Sequence, residues 1–529
     1  MADAIAIDFV SPLPPVRSGI SDYSLDLLPF LDPICDLRVV RLPDQVLSES
    51  VEQRWHPVPA SLTGAEGRLP LYQVGNNRYH EGVVALARER AGVVVLHDVV
   101  LHHLLVESTL GRSQLEPYLD RLEADHGWVG RQAAKARRWG ELGQAAMFGL
   151  AANRDLLRSQ RGVLVHSRWA LERVEEDVPD LPILQIPMGI PLPELPKPEA
   201  GLGFRRRLGL DEQAPLIGSF GFQTPIKRTA RVIEALAEPG LEMAHLLVAG
   251  EVSPVLDLES VAAAHGVRDR VHIAGFLDYS AFEAAIAACD LCINLRYPTA
   301  GETSASLLRV LALGRPAIVS DYAYGAELPD SVVVKVPLGD GEVAAIGSRV
   351  GSLLTDRNAL EEMSRQARRY VGSEHDPAQA AKALVEACDK FRHLEPVGPR
   401  PPNLDPPSTL VWRQISADLV VEGSDPPWLE GKARALDVRV TNHGSARWLP
   451  TRSGAGGILV KVHWRSDPWS DELNESWVEL PHELGPGESY NWSIRTRRPP
   501  GASMLVVEPH VQEVAGFNSL GGPQWVRFL

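Results

Sequence analysis

Glu302 follows Gly301 in a short loop, and Thr303–Ser306 is a run of small and hydroxyl residues directly behind it. An apolar run, Leu291–Leu295, stops at Arg296 just before the loop; Gly314 and Pro316 close the segment after it, and a second apolar run, Ala317–Ser320, follows. The pattern predicts strand, loop, helix and strand, with the loop at the carboxyl end of the first strand, where open parallel sheets bind ligands. A helix opening at Thr303–Ser306 offers free N–H groups and a positive dipole end, which suit phosphate. The carboxylate of Glu302 repels phosphate, so its natural partners are hydroxyl donors on a sugar. Phosphate and hydroxyls recognised by one loop are the chemistry of a nucleotide-sugar.

Three further segments carry reactive residue types. In Gly218–Thr229, two glycines (Gly218 and Gly221) and Lys227 follow an apolar run, the arrangement of a loop that neutralises phosphate. It matches neither a GxGxxG fingerprint nor a Walker loop, which argues against dinucleotide oxidoreductases and P-loop NTPases. The bland alternative is a solvated Lys227–Arg228 pair. In Val93–Leu105, His97 and Asp98 end an apolar strand, and His102 and His103 lie one helical turn beyond, either supporting a site or packing. No third ligand stands at zinc-binding spacing. In Ser11–Asp22, Gly19 lets the backbone approach a ligand, Ser21 suits an N-cap and Arg17 suits a diphosphate, unless this is an ordinary capped loop.

These segments need a scaffold. The chain has 529 residues, 44% hydrophobic and 23% charged, values for about three globular domains. A formal charge of −15 argues against nucleic-acid binding. The start lacks the basic and apolar pattern of a signal peptide, and no run of about 18 apolar residues spans a membrane. The four cysteines do not make a disulfide framework, and Cys289 and Cys292 straddle a helix-to-strand junction, so buried reduced thiols and a cytoplasmic protein are expected.

Strand signals at Ala4–Val10, Leu37–Arg41, Pro70–Val74, Val93–Leu96, Val163–Val165 and Ile183–Ile186 alternate with helical stretches, the longest between Leu115 and Ser159. Proline-rich Ile190–Pro198 interrupts, and alternation restarts at Leu216–Ser219, Ala244–Ala249, Val271–Ala274, Leu291–Leu295, Ala317–Ser320 and Val332–Val336, with three helices over Glu342–Glu395. This reads as two doubly wound α/β domains, 1–190 and 191–396, facing a cleft. Residues 397–408 carry five prolines and read as a linker. Beyond it the hydrophobic period becomes two, predicting an antiparallel β-sandwich over 409–529. Eight of the twelve tryptophans fall there, either packing its core or offering sugar-stacking platforms. Arg131, Lys135 and Arg138 share a helical face near Trp128 and Trp139, a surface for an anionic lipid or simply a solvated face.

Taken together, the Pro-Pro-x-Arg-Ser-Gly loop, the His97–Asp98 strand end, the glycine-lysine loop before Arg228 and the Gly301–Glu302 loop resemble family four of the nucleotide-sugar glycosyltransferases over roughly residues 4–395. The resemblance implies the GT-B fold of two Rossmann-like domains, with the C-terminal sandwich as an addition. It implies sugar transfer from a nucleotide diphosphate sugar to a hydroxyl of a glycan or lipid-linked glycan, with retained anomeric configuration and no metal or other cofactor. It places Lys227 and Gly221 at the donor phosphates, Glu302 with Gly301 at the donor sugar, and the backbone amides of Thr303 and Ser304 near the diphosphate. Gly19 and Arg17 would face the phosphates across the cleft, His97 would lie beside the sugar, and Asp98 and His102 would serve the acceptor. Two positions depart from the family: Phe222 replaces an arginine, whose charge Arg296 can restore, and Arg309 replaces a ribose-binding glutamate. These departures keep a non-catalytic glycan-binding scaffold open as an alternative, and an epimerase or hydrolase that shares the fold is another. The C-terminal domain would be an accessory for acceptor binding, oligomerisation or docking, and the protein could touch a membrane peripherally.

Overall fold

The computed structural model describes residues 4–138, 146–398, 416–423, 427–444, 446–453, 456–467, 470, 472–512, 515–517 and 523–529. The chain divides into two compact units, residues 1–118 with 143–399, and residues 119–142 with 400–529.

The first unit contains two parallel sheets. In the first lobe, strands β1 (Ala6–Val10), β2 (Asp36–Arg41), β3 (Val58–Pro59), β4 (Leu69–Val74), β5 (Val93–Leu96), β6 (Gly162–Val165) and β7 (Ile183–Gln185) lie in the order β3-β2-β1-β4-β5-β6-β7. In the second, β8 (Leu216–Phe220), β9 (His245–Ala249), β10 (Val271–Gly275), β11 (Leu291–Asn294), β12 (Ala317–Ser320) and β13 (Val333–Val336) lie in the order β10-β9-β8-β11-β12-β13. Strands β4, β5, β6, β8 and β12 are buried along their whole length, because helices cover both faces. That double burial explains why these strands carry apolar residues on both faces, most clearly in Val93–Leu96, rather than alternating apolar with polar ones.

The linker 187–197 has no regular structure, and Pro198 opens the next helix, where its missing N–H costs nothing. Three helices close the second lobe: Glu342–Thr355, Arg357–Glu374 and Pro377–Phe391. The last returns to the first lobe. A Cβ at Gly162 would stand 2.3 Å from Phe391 Cδ2, so only glycine lets β6 meet that ring. Phe9, Leu28, Leu308, Leu384 and Phe391 belong to one apolar cluster that runs through both lobes.

In the second unit the strands pair antiparallel. β14 (Ala417–Glu422), β15 (Ala433–Asn442) and β18 (Ser489–Arg497) form one sheet. β16 (Ile458–Arg465), β17 (Glu472–Glu479), β19 (Met504–Val511), β20 (Ala515–Gly516) and β21 (Trp525–Phe528) form the other. Alternate residues Leu436, Val438 and Val440 of one sheet and Val460, Val462 and Trp464 of the other enter a single core. Trp428, Trp448, Trp464 and Trp492 are buried, and Trp464 Nε1 donates to Thr496 Oγ1 at 2.8 Å. Core filling is therefore the main work of the described tryptophans; Trp477 alone among them is exposed, and Trp412 and Trp469 lie outside the described residues.

Candidate active site

The corner expected to take phosphate is built where β8 and β11 end. Gly221 follows β8 with φ +91°, a left-handed conformation that favours glycine, and an added Cβ would meet Lys227 Nζ at 2.7 Å and Ser306 Oγ at 3.5 Å. Lys227 is buried, and its ammonium donates to the Phe220 carbonyl. Burial and then the nearby Arg296 guanidinium lower its pKa to about 7, with Glu302 opposing. Ser304 caps the Ala305–Ala312 helix, its Oγ accepting from Leu307 N at 3.3 Å. That helix is anchored by buried Leu307, Leu308, Val310 and Leu311, each contributing about 1.5–3 kcal/mol. Lys227, the Ser306 hydroxyl and a helix N-terminus thus converge, all favourable to an oxyanion.

Arg296 extends this corner. Its guanidinium pairs with Glu302 Oε1 and reaches Ser304 Oγ at 3.4 Å. Glu302 Oε2 accepts from Thr299 Oγ1 at 2.8 Å and from Ala300 N at 2.9 Å. Both carboxylate oxygens therefore already shape their own loop, a use that the spacing of residues did not suggest.

The same loop touches the first lobe. Val100 N donates to Ala300 O at 2.9 Å. At Gly301, φ is +88°, and a Cβ would lie 2.7 Å from Val99 Cγ2 and 2.8 Å from Trp169 Cζ3. Glu327 of the second lobe accepts from Arg168 N at 3.0 Å and Trp169 N at 2.6 Å, capping the first-lobe helix Arg168–Asp177 beside its own N-cap Ser167. Nothing in the linear sequence pairs Glu327 with that helix.

Across the cleft, His97 is buried among Tyr23 and His166, with ring centroids 5.0 and 5.1 Å away, and its Nε2 lies 2.8 Å from Gln73 Oε1. Burial holds its pKa well below the usual histidine value, with His166 adding to the effect, so the ring is neutral. Asp98 Oδ2 accepts from Asn76 N at 2.8 Å. Although it keeps partial solvent access, burial and then the Glu302 carboxylate raise its pKa to about 7. A carboxyl that is substantially protonated near neutrality can donate a hydrogen bond to a hydroxyl. His166 and Gln73 were missed, although His166 ends β6 as His97 ends β5 and obeys the same strand-end rule.

The other expected residues have partners and settings of their own. Arg17 is exposed, pairs with Glu251 at 3.5 Å and sits over the Phe276 ring at 4.3 Å. Gly19 opens the Gly19–Leu31 helix with free space around it, whereas Ser21 is buried inside that helix and does not cap it. The Ser18 backbone takes the N-cap position instead. His102 is buried with Nε2 2.7 Å from Tyr118 OH, so it packs rather than facing an acceptor. Arg309, in the position of the ribose glutamate, pairs with Asp26 of the first lobe at 2.6 Å. Arg131 is paired with Glu123 at 2.6 Å and Asp120 at 3.4 Å, which blunts a basic lipid-facing surface. The side chains of Trp128 and Arg138, and all of Trp139, lie outside the described residues. Cys289 and Cys292 are buried free thiols, and among the described residues no group of three or more His, Cys, Asp or Glu could hold a metal. No described helix is long and apolar enough to cross a membrane.

Known structures share this architecture. Sucrose-phosphate synthase from Thermosynechococcus elongatus is 15% identical, with a TM-score of 0.52 over 73% of this chain and 98% of that one. Anabaena HepE, solved with UDP and glucose, is 14% identical, with a TM-score of 0.50 over 73% of this chain and 99% of that one. The fold is GT-B. Residues 203–370, which hold Gly221, Lys227, Arg296 and Glu302, match the family model of the glycosyl transferases group 1. No curated protein matches the sequence.

Proposed function

We propose that this protein transfers a sugar from a nucleoside diphosphate sugar to a hydroxyl of a glycan or lipid-linked glycan, with retained anomeric configuration, without a metal ion, in the cytoplasm. The observation that carries the reading is the convergence of Lys227, Ser306 and the Ala305–Ala312 helix start inside the segment that matches the group 1 glycosyltransferases. The HepE structure with UDP and glucose supports a nucleotide-sugar as donor.

Breaking the sugar–diphosphate bond develops negative charge on the leaving oxygen. Lys227, Arg296 and the helix-start amides answer that charge from fixed positions, the usual dominant contribution to such catalysis. Protonated Asp98 and neutral His97 on the opposite wall suit sugar hydroxyls. Front-face attack by the acceptor, with the departing phosphate receiving its proton, fits a site in which Glu302 is engaged by Arg296, Thr299 and Ala300. The C-terminal domain serves the acceptor or docking. The test is incubation with UDP-, GDP- and ADP-sugars, following nucleoside diphosphate release with and without glycan acceptors. Turnover that Lys227→Ala abolishes supports the reading; no turnover with any donor, alongside retained glycan binding, replaces it with the scaffold reading.

A further inference from the structure

The second lobe carries a cavity at the end of its sheet opposite the active site. Its floor is the entry to β11 and β12, at Asp290 and Arg315, whereas Arg296 and Lys227 stand beyond the carboxyl ends of β11 and β8. The linker and the Arg357–Glu374 helix form its walls, and the volume is about 840 Å³. That is the size of sites that take nucleotide- or drug-sized molecules, about 300–1,000 Å³.

Its charge is the reverse of the chain's. Five arginines and two carboxylates line it in a protein of net charge −15. Arg205 is consumed by Asp290 at 2.8 Å and by the carbonyls of Ala288 and Ala214. Arg368 donates to the carbonyls of Ala312 at 2.6 Å and Pro193 at 2.7 Å, which orient the guanidinium without neutralising it. Arg315 donates to Ala287 O at 2.8 Å, and its buried Nε has no partner. Among the described residues, Arg315, Arg368 and Arg369 form no ion pair, and Arg365 meets only Glu362 on its own helix. Facing them, Leu192 and Leu195 of the linker are exposed. Guanidinium groups held by carbonyls but left with unbalanced charge are suited to a doubly charged oxyanion. The apolar wall suits an attached carbon body.

The geometry points to a second ligand site here, for a phosphate-bearing molecule with an apolar body, separate from the donor corner. The phosphate comes either from a soluble phosphorylated compound or from a lipid headgroup, and two arms distinguish these sources. In the first, pyrophosphate binding is measured by calorimetry on the full chain, on Lys227→Ala and on Arg365→Glu/Arg369→Glu, two exposed positions whose replacement gives up only the bonds of Arg365 to Glu362 on the same helix. A soluble ligand site predicts two binding events in the wild type. Lys227→Ala removes one of them, and the arginine variant weakens the other at least tenfold. In the second arm, sedimentation with phosphatidic acid vesicles that the arginine variant abolishes assigns the phosphate to lipid. Leu195→Ser supplies a charge-neutral check, weakening ligands that have an apolar body more than pyrophosphate. The inference is overturned if neither pyrophosphate nor vesicles respond to the arginine variant. Pyrophosphate loss confined to Lys227→Ala, with vesicle binding unchanged in the arginine variant, leaves the donor reading standing and removes this one; loss confined to the arginine variant does the opposite.

Discussion

Replacing Gly301 with alanine tests how the two lobes are brought together. The backbone there has φ +88°, and the new methyl would stand 2.7 Å from Val99 and 2.8 Å from Trp169. A left-handed backbone costs a non-glycine residue about 1–2 kcal/mol, and overpacking typically costs about 1–3 kcal/mol. The backbone cost applies wherever the lobes stand, so the close approach itself is opposed by the overpacking, about 1–3 kcal/mol. Val99 and Trp169 belong to the first lobe, so the strain is relieved by separating the Glu302 loop from it rather than by unfolding either lobe. On the proposed function the site draws groups from both lobes, so the penalty falls on the closed arrangement. At 1.36 kcal/mol per decade, kcat/KM for donor turnover should drop between ~5-fold and ~160-fold, while the melting temperature falls only by the backbone cost of about 1–2 kcal/mol. Gly203→Ala is the control. That glycine lies in a helix with open space at its Cβ, and alanine there should preserve activity and stabilise slightly, by about 0.5–1 kcal/mol. A Gly301→Ala enzyme with unchanged kinetics would refute the argument.

The lowered pKa of Lys227, about 7, predicts that donor binding near pH 8 takes up a proton as the diphosphate draws charge onto the ammonium. Calorimetry in buffers of different ionisation enthalpy should show uptake in the wild type and none in Lys227→Met. In the free protein the same depression disfavours the folded state below pH 7, so this residue's contribution makes stability rise between about pH 7 and 10.5. Asp98 acts with the opposite sign. Its raised pKa makes stability fall as pH climbs from about 4 to 7, and Asp98→Asn should flatten the melting-temperature profile across that window. Arg309→Glu sets a carboxylate against Asp26 and should lower donor kcat/KM about fivefold, with partial recovery in Asp26→Arg/Arg309→Glu. Trp464→Ala empties the second unit's core and should destabilise it by about 3–5 kcal/mol, read as an early melting transition.

What the sequence showed follows from which signals are local. The buried parallel strands declared themselves because both faces are covered, leaving apolar runs such as Val93–Leu96 with no ambiguity of period. Strand ends then located Lys227, His97 and Glu302. The one-turn shift of the first helix, to Gly19 from Asp22, arose because Ser21 looks like a cap although no side chain caps this helix. Strands β14, β17 and β19 were harder to see. β17 lies at a sheet edge with few buried positions, and β19 is buried nearly throughout, so neither shows the clean alternation of β15. The partners of Glu302, Arg309 and Glu327 were illegible, because each is chosen by a contact formed after folding. For Arg309 and Asp26 the separation is 283 residues.

Apart from the helix Pro377–Phe391, much of what joins the two lobes beside the cleft is ionic: Arg309 with Asp26, Arg17 with Glu251, and a carboxylate seated on the amides of Arg168 and Trp169. Salt screens charge attractions over about 8 Å at physiological ionic strength and about 3 Å at 1 M. Ion pairs at 2.6 and 3.5 Å therefore respond only to concentrated electrolyte, the part-buried Arg309–Asp26 pair least. Dissolved salt thus becomes a dial on how often the enzyme gapes. Concentrated electrolyte should loosen the jaws and admit water, so futile donor hydrolysis should grow relative to useful transfer.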